Sequence, residues 1–417
     1  MAITQLLEVQ PRRARRRSRT WVIGATCLLA LLAALALRVS TEHVPSLRIR
    51  RTLAAYVRLA GTPPAIAWPA EGEAAMEVPG VGAFGGSGGS QPVPIASVAK
   101  VMTAYLTLRQ YPLSAGRRGF ELTVTPAEVA EERERVELGE STVPVKAGER
   151  LSERQALQAL LLPSANNVAA MLAVHDAGGV PAFVARMNAT ARQLGMNATT
   201  YTDPSGFEAT TVSTAADQLL LARAAMAEPV FAAIVAEPSA RLPVAGRVPN
   251  INGLVDEEGY IGVKTGSDSA AGGCLMFAKR VVVNHHPLTI LGVVLGQRDG
   301  ALVPAALASA RRLGDSAAAA LRLRTALPAG AHVLHVSSPA VGGTSVVTGA
   351  SLREIGWAGL RVPVQVSDTR VPGALSAGER LATVIVGAGK STATRSVAVA
   401  AHGLGGPSLG WRLAHML

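Results

Sequence analysis

Residues 21–37, Trp21 to Leu37, form an apolar run without a single charged side chain, and this run decides where the rest of the chain must fold. At about 1.5 Å rise per residue, a helix of this length just crosses a bilayer core. Directly ahead of it stand Arg12, Arg13, Arg15, Arg16, Arg17 and Arg19, against one acid, Glu8. Such a cluster stays on the cytoplasmic side, so everything beyond Arg38 is expected outside. Two readings share that consequence. One is a retained single-pass anchor, which leaves the protein in the cell membrane. The other is a cleavable signal segment, because Ala34-Leu35-Ala36 has the A-x-A form of a cleavage site, and then the protein is secreted. The run is longer than most signal cores, which favours the anchor. Cys27 lacks a lipoprotein-type signature, so no lipid anchor is expected.

The formal net charge of +11 belongs largely to this N-terminus. Beyond residue 38, 33 basic residues face 28 acidic ones, a net charge of +5, with no basic run interleaved with aromatics. Nucleic-acid binding is therefore not expected. Arginine outnumbers lysine 35 to five, so each lysine (Lys100, Lys146, Lys264, Lys279, Lys390) is informative. Ordinary cationic positions are filled by arginine. With Cys27 in the apolar run and Cys274 alone beyond it, no internal disulfide is expected and the fold must rest on its core.

The chain divides by texture. After a basic tail (1–20) and the apolar segment (21–37), residues 38–62 read as a linker with a first helix from Leu53 to Leu59. Ala65 to Val78 reads as strand, and Gly85-Gly86-Ser87-Gly88-Gly89-Ser90 as a flexible loop. Helical spacing predicts a buried helix over 98–110, a helix from Ser152 to Pro163, and another from Asn167 to Val174. Further helices are expected over 181–194, 214–226 and 301–322, with strands at 260–265, 274–283 and 288–295. From about Arg324 helical periodicity fades and short Val-rich runs alternate with turns. Residues 325–417 are read as a separate β-rich domain, and 63–322 as the main one.

Three short motifs carry chemistry. Ser97-Val98-Ala99-Lys100 is an S-x-x-K at a helix start, which puts the hydroxyl and the amine on one face. Serine is a weak nucleophile until a base takes its proton, and lysine is such a base only when burial or a nearby cation keeps it neutral. Ser164-Ala165-Asn166 lies between two apolar helices; by itself it also suits a capping role, with Pro163 ending the first helix. Lys264-Thr265-Gly266 closes a strand, with Lys264 and Gly266 on one face. A lysine beside a hydroxyl suits a carboxylate, and the glycine leaves room along the strand edge.

Together, in this order, the motifs resemble the active-site set of the penicillin-recognising serine enzymes, and more closely the D-alanyl-D-alanine carboxypeptidases of the S11 peptidases. The stretches that carry the resemblance run from Pro94 to Ala104, through the leucine run into Ser164. They continue with Asp203-Pro204-Ser205-Gly206-Phe207, Ser213-Thr214-Ala215-Ala216-Asp217, and Gly262 to Gly266 followed by Ala271-Gly272-Gly273-Cys274-Leu275. The likeness covers about residues 65–320. Beyond it the C-terminal region is similar only in texture, and the last residues, Gly410 to Leu417, are too short for the C-terminal amphipathic anchor of many relatives.

The resemblance implies an α+β fold, an antiparallel sheet flanked by helices, with the site between an all-helical part and the sheet. It implies that Lys100 deprotonates Ser97, which attacks the carbonyl of the penultimate D-Ala of a peptidoglycan pentapeptide. Backbone N–H groups of Ser97 and Ser267 would hold the oxyanion. Ser164, in contact with Lys100 and Lys264, would relay a proton to the departing D-Ala. Lys264, Thr265 and Gly266 would bind the substrate end and Asn166 the acyl-side amide. No metal or organic cofactor is implied, and β-lactams are expected to acylate the same serine. A D,D-endopeptidase acting on cross-links and a catalytically silent wall-binding protein are the alternatives; a β-lactamase would need an extra deacylating base that the sequence does not show. Gly85-Gly86-Ser87-Gly88-Gly89 matches G-x-S-x-G but lacks the strand before and helix after that a nucleophile elbow needs. His285 and His286 read as an exposed turn rather than zinc ligands.

Overall fold

The structure is a computed structural model that describes residues 14–41, 46–368, 374–387 and 393–415. Glu8, Arg12, Arg13, Lys390 and the last two residues lie outside these. The apolar run is part of a helix, Ala14–Thr41. Its stretch Thr20–Ser40 has a mean hydropathy of 2.3 and is almost entirely unburied, long and apolar enough to cross a membrane.

A five-stranded antiparallel sheet organises the main unit. Its order is Tyr260–Asp268, Gly272–Val283, His286–Gln297, Glu73–Val78 and Gly82–Ser87. The first eight residues of Gly272–Val283 are buried, because both faces of the sheet are covered. Alternation splits its side chains between two cores. Cys274, Met276 and Ala278 join the core beneath the helical part, while Leu275 and Phe277 join a second core under the helix Leu302–Ala320. The helical part comprises Lys100–Gln110, Pro126–Glu137, Glu153–Leu161, Asn166–Ala177, Val180–Leu194, Ala215–Met226 and Pro229–Val235. Glu153–Leu161 starts at a capping box, with Ser152 accepting from Gln155 N and Gln155 reaching back to Ser152 N. This is the α+β arrangement expected, with helices on both faces of the sheet.

The second unit is a seven-stranded sheet, in the order Arg48–Arg51, His332–Ser338, Gly342–Thr348, Thr394–Ala400, Arg380–Val386, Arg361–Asp368 and Tyr56–Arg58. It shares the second core with the main sheet: Trp357 stacks on Phe84 with ring centroids 3.7 Å apart, and Leu59 and Leu360 are buried with them.

Several expectations are corrected here. Leu53 to Leu59 contains no helix; Tyr56–Arg58 is a strand, and with Arg48–Arg51 it completes the C-terminal sheet. The supposed linker therefore belongs structurally to the β-rich unit, because its alternating side chains find sheet edges to pair with rather than a helix face to cover. Within Ala65–Val78 only Glu73–Val78 is strand, since Pro69 and Gly72 break the ladder. Gly82–Ser87 is an edge strand rather than a loop. Its pairing with Glu73–Val78 overrides the weak strand propensity of glycine. His285 does sit in an exposed hairpin turn, with positive φ at Asn284 and His285.

Candidate active site

Ser97 lies in a short 3₁₀ turn, Ala96–Ala99, that runs directly into the helix Lys100–Gln110. Three residues of helical advance bring Lys100 beneath it: Lys100 Nζ donates to Ser97 Oγ at 2.7 Å and to the Ser205 carbonyl at 3.0 Å. Lys100 is completely buried. Burial first, then the positive charge of Lys264, holds its ammonium well below the usual lysine range, while Asp203 and Glu140 pull the other way. A buried lysine in that state can take the hydroxyl proton of the serine it touches.

The loop Asp203–Phe207 is built to hold this pair. Asp203 accepts from Ser205 N, Ser205 Oγ, Phe207 N and Thr211 Oγ1, and Thr103 Oγ1 donates to the Pro204 carbonyl at 2.6 Å. The loop is thus tied to itself and to the serine helix, and its Ser205 carbonyl meets Lys100. Gly206 has φ +77°, and a Cβ there would stand 1.8 Å from the Ala96 carbonyl oxygen, so no other residue fits.

The strand Tyr260–Asp268 forms the opposite wall. A Cβ on Gly266 would lie 2.9 Å from Ser97 N, so this glycine lets the sheet edge close on the serine. Lys264 is buried, donates to the Thr265 carbonyl at 2.9 Å, and burial pushes its ammonium down to about 7. Thr265 is buried, and Ser267 beyond it is exposed.

Ser164 and Asn166 come from the junction of two helices, but not as caps. The helix Asn166–Ala177 has Ala165 at its N-cap with no side-chain cap bond. Ser164 takes a left-handed conformation, φ 71°, uncommon for a residue with a side chain. Its Oγ is buried without a hydrogen-bond partner. The expected contact of Ser164 with both lysines is therefore not made in this structure. The reason is geometric: Lys100 is committed to Ser97 and Ser205, and Lys264 to the Thr265 carbonyl. Asn166 Nδ2 donates to Glu140 Oε2 at 2.6 Å, while its Oδ1 is buried without a partner. A cleft of about 440 Å³ opens beside these groups, lined by Arg135, Glu140, Asn166, Ser205 and Phe207 among others.

The structure brings Ser97, Lys100, Lys264 and Gly266 together at the join of helical part and sheet, with Thr265 and Ser267 on the same strand and Ser164 and Asn166 at the helix junction. Sequence reading missed Thr103, Arg135 and Glu140, and gave Asp203 and Ser205 no role. The Asp203-Pro204-Ser205-Gly206 run was visible as a motif. Glu140 carried no signal, following an acidic surface helix, Pro126–Glu137, whose charges read as solvated.

A helix-covered antiparallel sheet with a serine and a buried lysine at its edge defines a serine peptidase of the penicillin-binding fold. Residues 87–298, about half of the chain, match the family described as D-alanyl-D-alanine carboxypeptidase, peptidase S11, and the chain belongs to that family. It is 40% identical over 185 residues to the D-alanyl-D-alanine carboxypeptidase DacB2 of Mycobacterium tuberculosis, covering 43% of this chain and 59% of that protein. It is 34% identical over 210 residues to a D-alanyl-D-alanine endopeptidase of Escherichia coli, covering 48% and 62%. The chain thus spans about six tenths of the length of these relatives. Among solved structures, the Streptomyces K15 DD-transpeptidase superposes with a TM-score of 0.52 at 26% identity, over 61% of this chain and 98% of that one. The carboxypeptidase DacD of Francisella tularensis, at 18% identity, shares the fold with a TM-score of 0.57 over 83% of this chain and 96% of that one.

Proposed function

We propose that this protein is a serine D,D-carboxypeptidase that removes the terminal D-alanine from peptidoglycan stem peptides through an acyl-enzyme on Ser97. The observation that carries the reading is the 2.7 Å contact between Ser97 Oγ and the fully buried Lys100 Nζ. In this mechanism neutral Lys100 takes the Ser97 proton as Oγ attacks the penultimate D-Ala carbonyl. The N–H groups of Ser97 and Ser267 receive the oxyanion. Lys264 and Thr265, with Gly266 clearing the strand edge, hold the terminal carboxylate; a bound anion raises the Lys264 pKa back from about 7 and keeps it charged. Asn166 binds the acyl-side amide at the mouth of the 440 Å³ cleft. Ser164 relays the proton to the departing D-Ala, which requires Lys100 or Lys264 to turn toward its free hydroxyl as the reaction proceeds. Water then hydrolyses the ester. β-Lactams acylate the same serine.

The membrane helix, in this reading, is a single-pass anchor with its arginines in the cytoplasm and the enzyme outside. The unit comprising residues 63–322 is the catalytic domain and the C-terminal sheet a module packed on it through a shared core. The match to an endopeptidase favours a second reading, cleavage of cross-links by the same chemistry. Incubation with a pentapeptide ending in D-Ala-D-Ala and with a cross-linked dimer separates the two: release of free D-Ala from the pentapeptide supports the first, and cleavage of the dimer alone supports the second.

A further inference from the structure

Asn166 is an ambiguous tool, because an amide can present either a donor or an acceptor to a substrate. Its surroundings fix which way the amide lies. Glu140, with only 4% of its side chain exposed, accepts from Asn166 Nδ2 at 2.6 Å. An ionised carboxylate is acceptor-only, so it can meet only the NH₂ end of the amide. The Oδ1 end is buried. Both Asn166 and Glu140 line the cleft, and with Nδ2 tied to Glu140 the amide is fixed in one of its two orientations.

Glu140 is itself held. Arg135 Nη1 donates to the same Glu140 Oε2 at 2.9 Å, and Glu140 N donates to the Arg135 carbonyl at 2.9 Å. The following residues are stapled to the helix that carries Asn166: Asn166 N donates to the Ser141 carbonyl at 2.7 Å, and Asn167 exchanges two bonds with the backbone of Val143. Arg135 also offsets the charge of Glu140 at Lys100: the carboxylate raises the lysine pKa and the guanidinium lowers it. Orientation is thus supplied with little net charge at the base.

We infer that Glu140, braced by Arg135, is a positioning residue that locks the Asn166 amide in one orientation at the edge of the cleft, set for the acyl side of the substrate. The inference rests on the Ser97 acyl-enzyme reading. Its step is non-covalent and asks only that one Asn166 N–H remain on Glu140 while substrate binds.

The test is a double-mutant cycle read by penicillin acylation, with limiting rate and half-saturation measured separately and melting temperature as the folding control. Glu140→Ala is expected to lower acylation efficiency about ten- to hundredfold, the range for losing a hydrogen bond to a charged group. Glu140→Gln keeps a carbonyl acceptor for Asn166 Nδ2 and should recover most of the loss. In an Asn166→Ala background, Glu140→Ala should cost less than about twofold more, because its effect runs through that amide. If Glu140→Ala does not fold, Glu140→Met, which removes the acceptor but keeps the volume, is read by the same criteria. An undiminished cost in the Asn166→Ala background, a folded Glu140→Ala that acylates like wild type, or an Asn166→Ala that does so would each overturn the inference. Failure of the underlying reading looks different: the wild-type protein itself would carry no adduct on Ser97.

Discussion

The two sheets of this chain bury different things. In the C-terminal sheet, strands such as Arg380–Val386 and Thr394–Ala400 alternate or nearly so, with Leu381, Ala382, Val384 and Val386 inward and polar residues such as Arg380 and Arg395 outward. Packing alone accounts for them. The edge of the five-stranded sheet instead encloses Lys100, Lys264, Asn166 and Ser164, with two buried side-chain oxygens left without partners. Buried groups of this kind are destabilising unless paired. They persist because the Asp203 loop, the capping box at Ser152 and the closed approach of Gly266 over-determine the surrounding backbone. The difference teaches where to look for chemistry: at buried lysines and unpaired side-chain oxygens rather than along alternating strands.

That contrast can be broken most severely at Lys100. Lys100→Arg keeps a positive charge but supplies a guanidinium that stays protonated at any reachable pH, so it cannot accept the Ser97 proton. Acylation by penicillin should fall by about 10²–10⁴, the usual worth of a general base, measured where the variant is folded, since the buried permanent charge also lowers the melting temperature. A folded variant within a few-fold of wild type would mean that Lys100 supplies charge only.

Lys264 gives the next effect. Its pKa of about 7 leaves it charged below neutrality and neutral above. Acylation efficiency toward a carboxylate-bearing β-lactam should therefore decline as pH rises through about 7, by up to about tenfold per unit. The decline should vanish in Lys264→Ala, whose efficiency is low at every pH. A descending limb retained in that variant would assign it to another group.

Trp357 tests the other side of the comparison. It is 7% exposed and stacks on Phe84 where the two units share a core. Trp357→Ala should destabilise the protein by about 3–5 kcal/mol, read as a lowered melting temperature, and leave the acylation rate of the folded protein within a few-fold. A large loss of rate at a temperature where the variant is folded would make the β-rich unit part of the site.

The smallest effect concerns a buried carboxyl with no part in the reaction. Burial raises the Glu153 pKa to about 7, opposed only by its backbone bond near Phe120. The folded state therefore holds this proton more tightly than the unfolded chain does. The stability it lends is full below the ordinary carboxylate range and is lost as pH rises through about 7. Glu153→Gln should raise the melting temperature by a few degrees at pH 8 and change it little at pH 4. An equal shift at both would exclude titration as the cause.

Legibility in the sequence followed the same division. Ser97, Lys100 and Lys264 could be found because the proposed nucleophile, base and carboxylate-binding cation need those residue types at short, regular spacings. The paired strands over 272–297 were visible as apolar runs. Gly82–Ser87 was not, since glycines that read as a loop become an edge strand once Glu73–Val78 offers a ladder. Tyr56–Arg58 was hidden for a related reason: its partner lies some three hundred residues away, at Arg361–Pro363, and no local pattern announces so distant a pairing. Glu140 was out of reach because its importance lies in a contact with Asn166 across 26 residues and not in its own neighbourhood.

The central claim, that Ser97 is the nucleophile, is tested most directly by mass spectrometry of peptides from the penicillin-treated protein. The account predicts one covalent adduct, on the peptide containing Ser97, absent in Ser97→Ala. An adduct on Ser87 or Ser164, or a folded protein that takes up none, would contradict it.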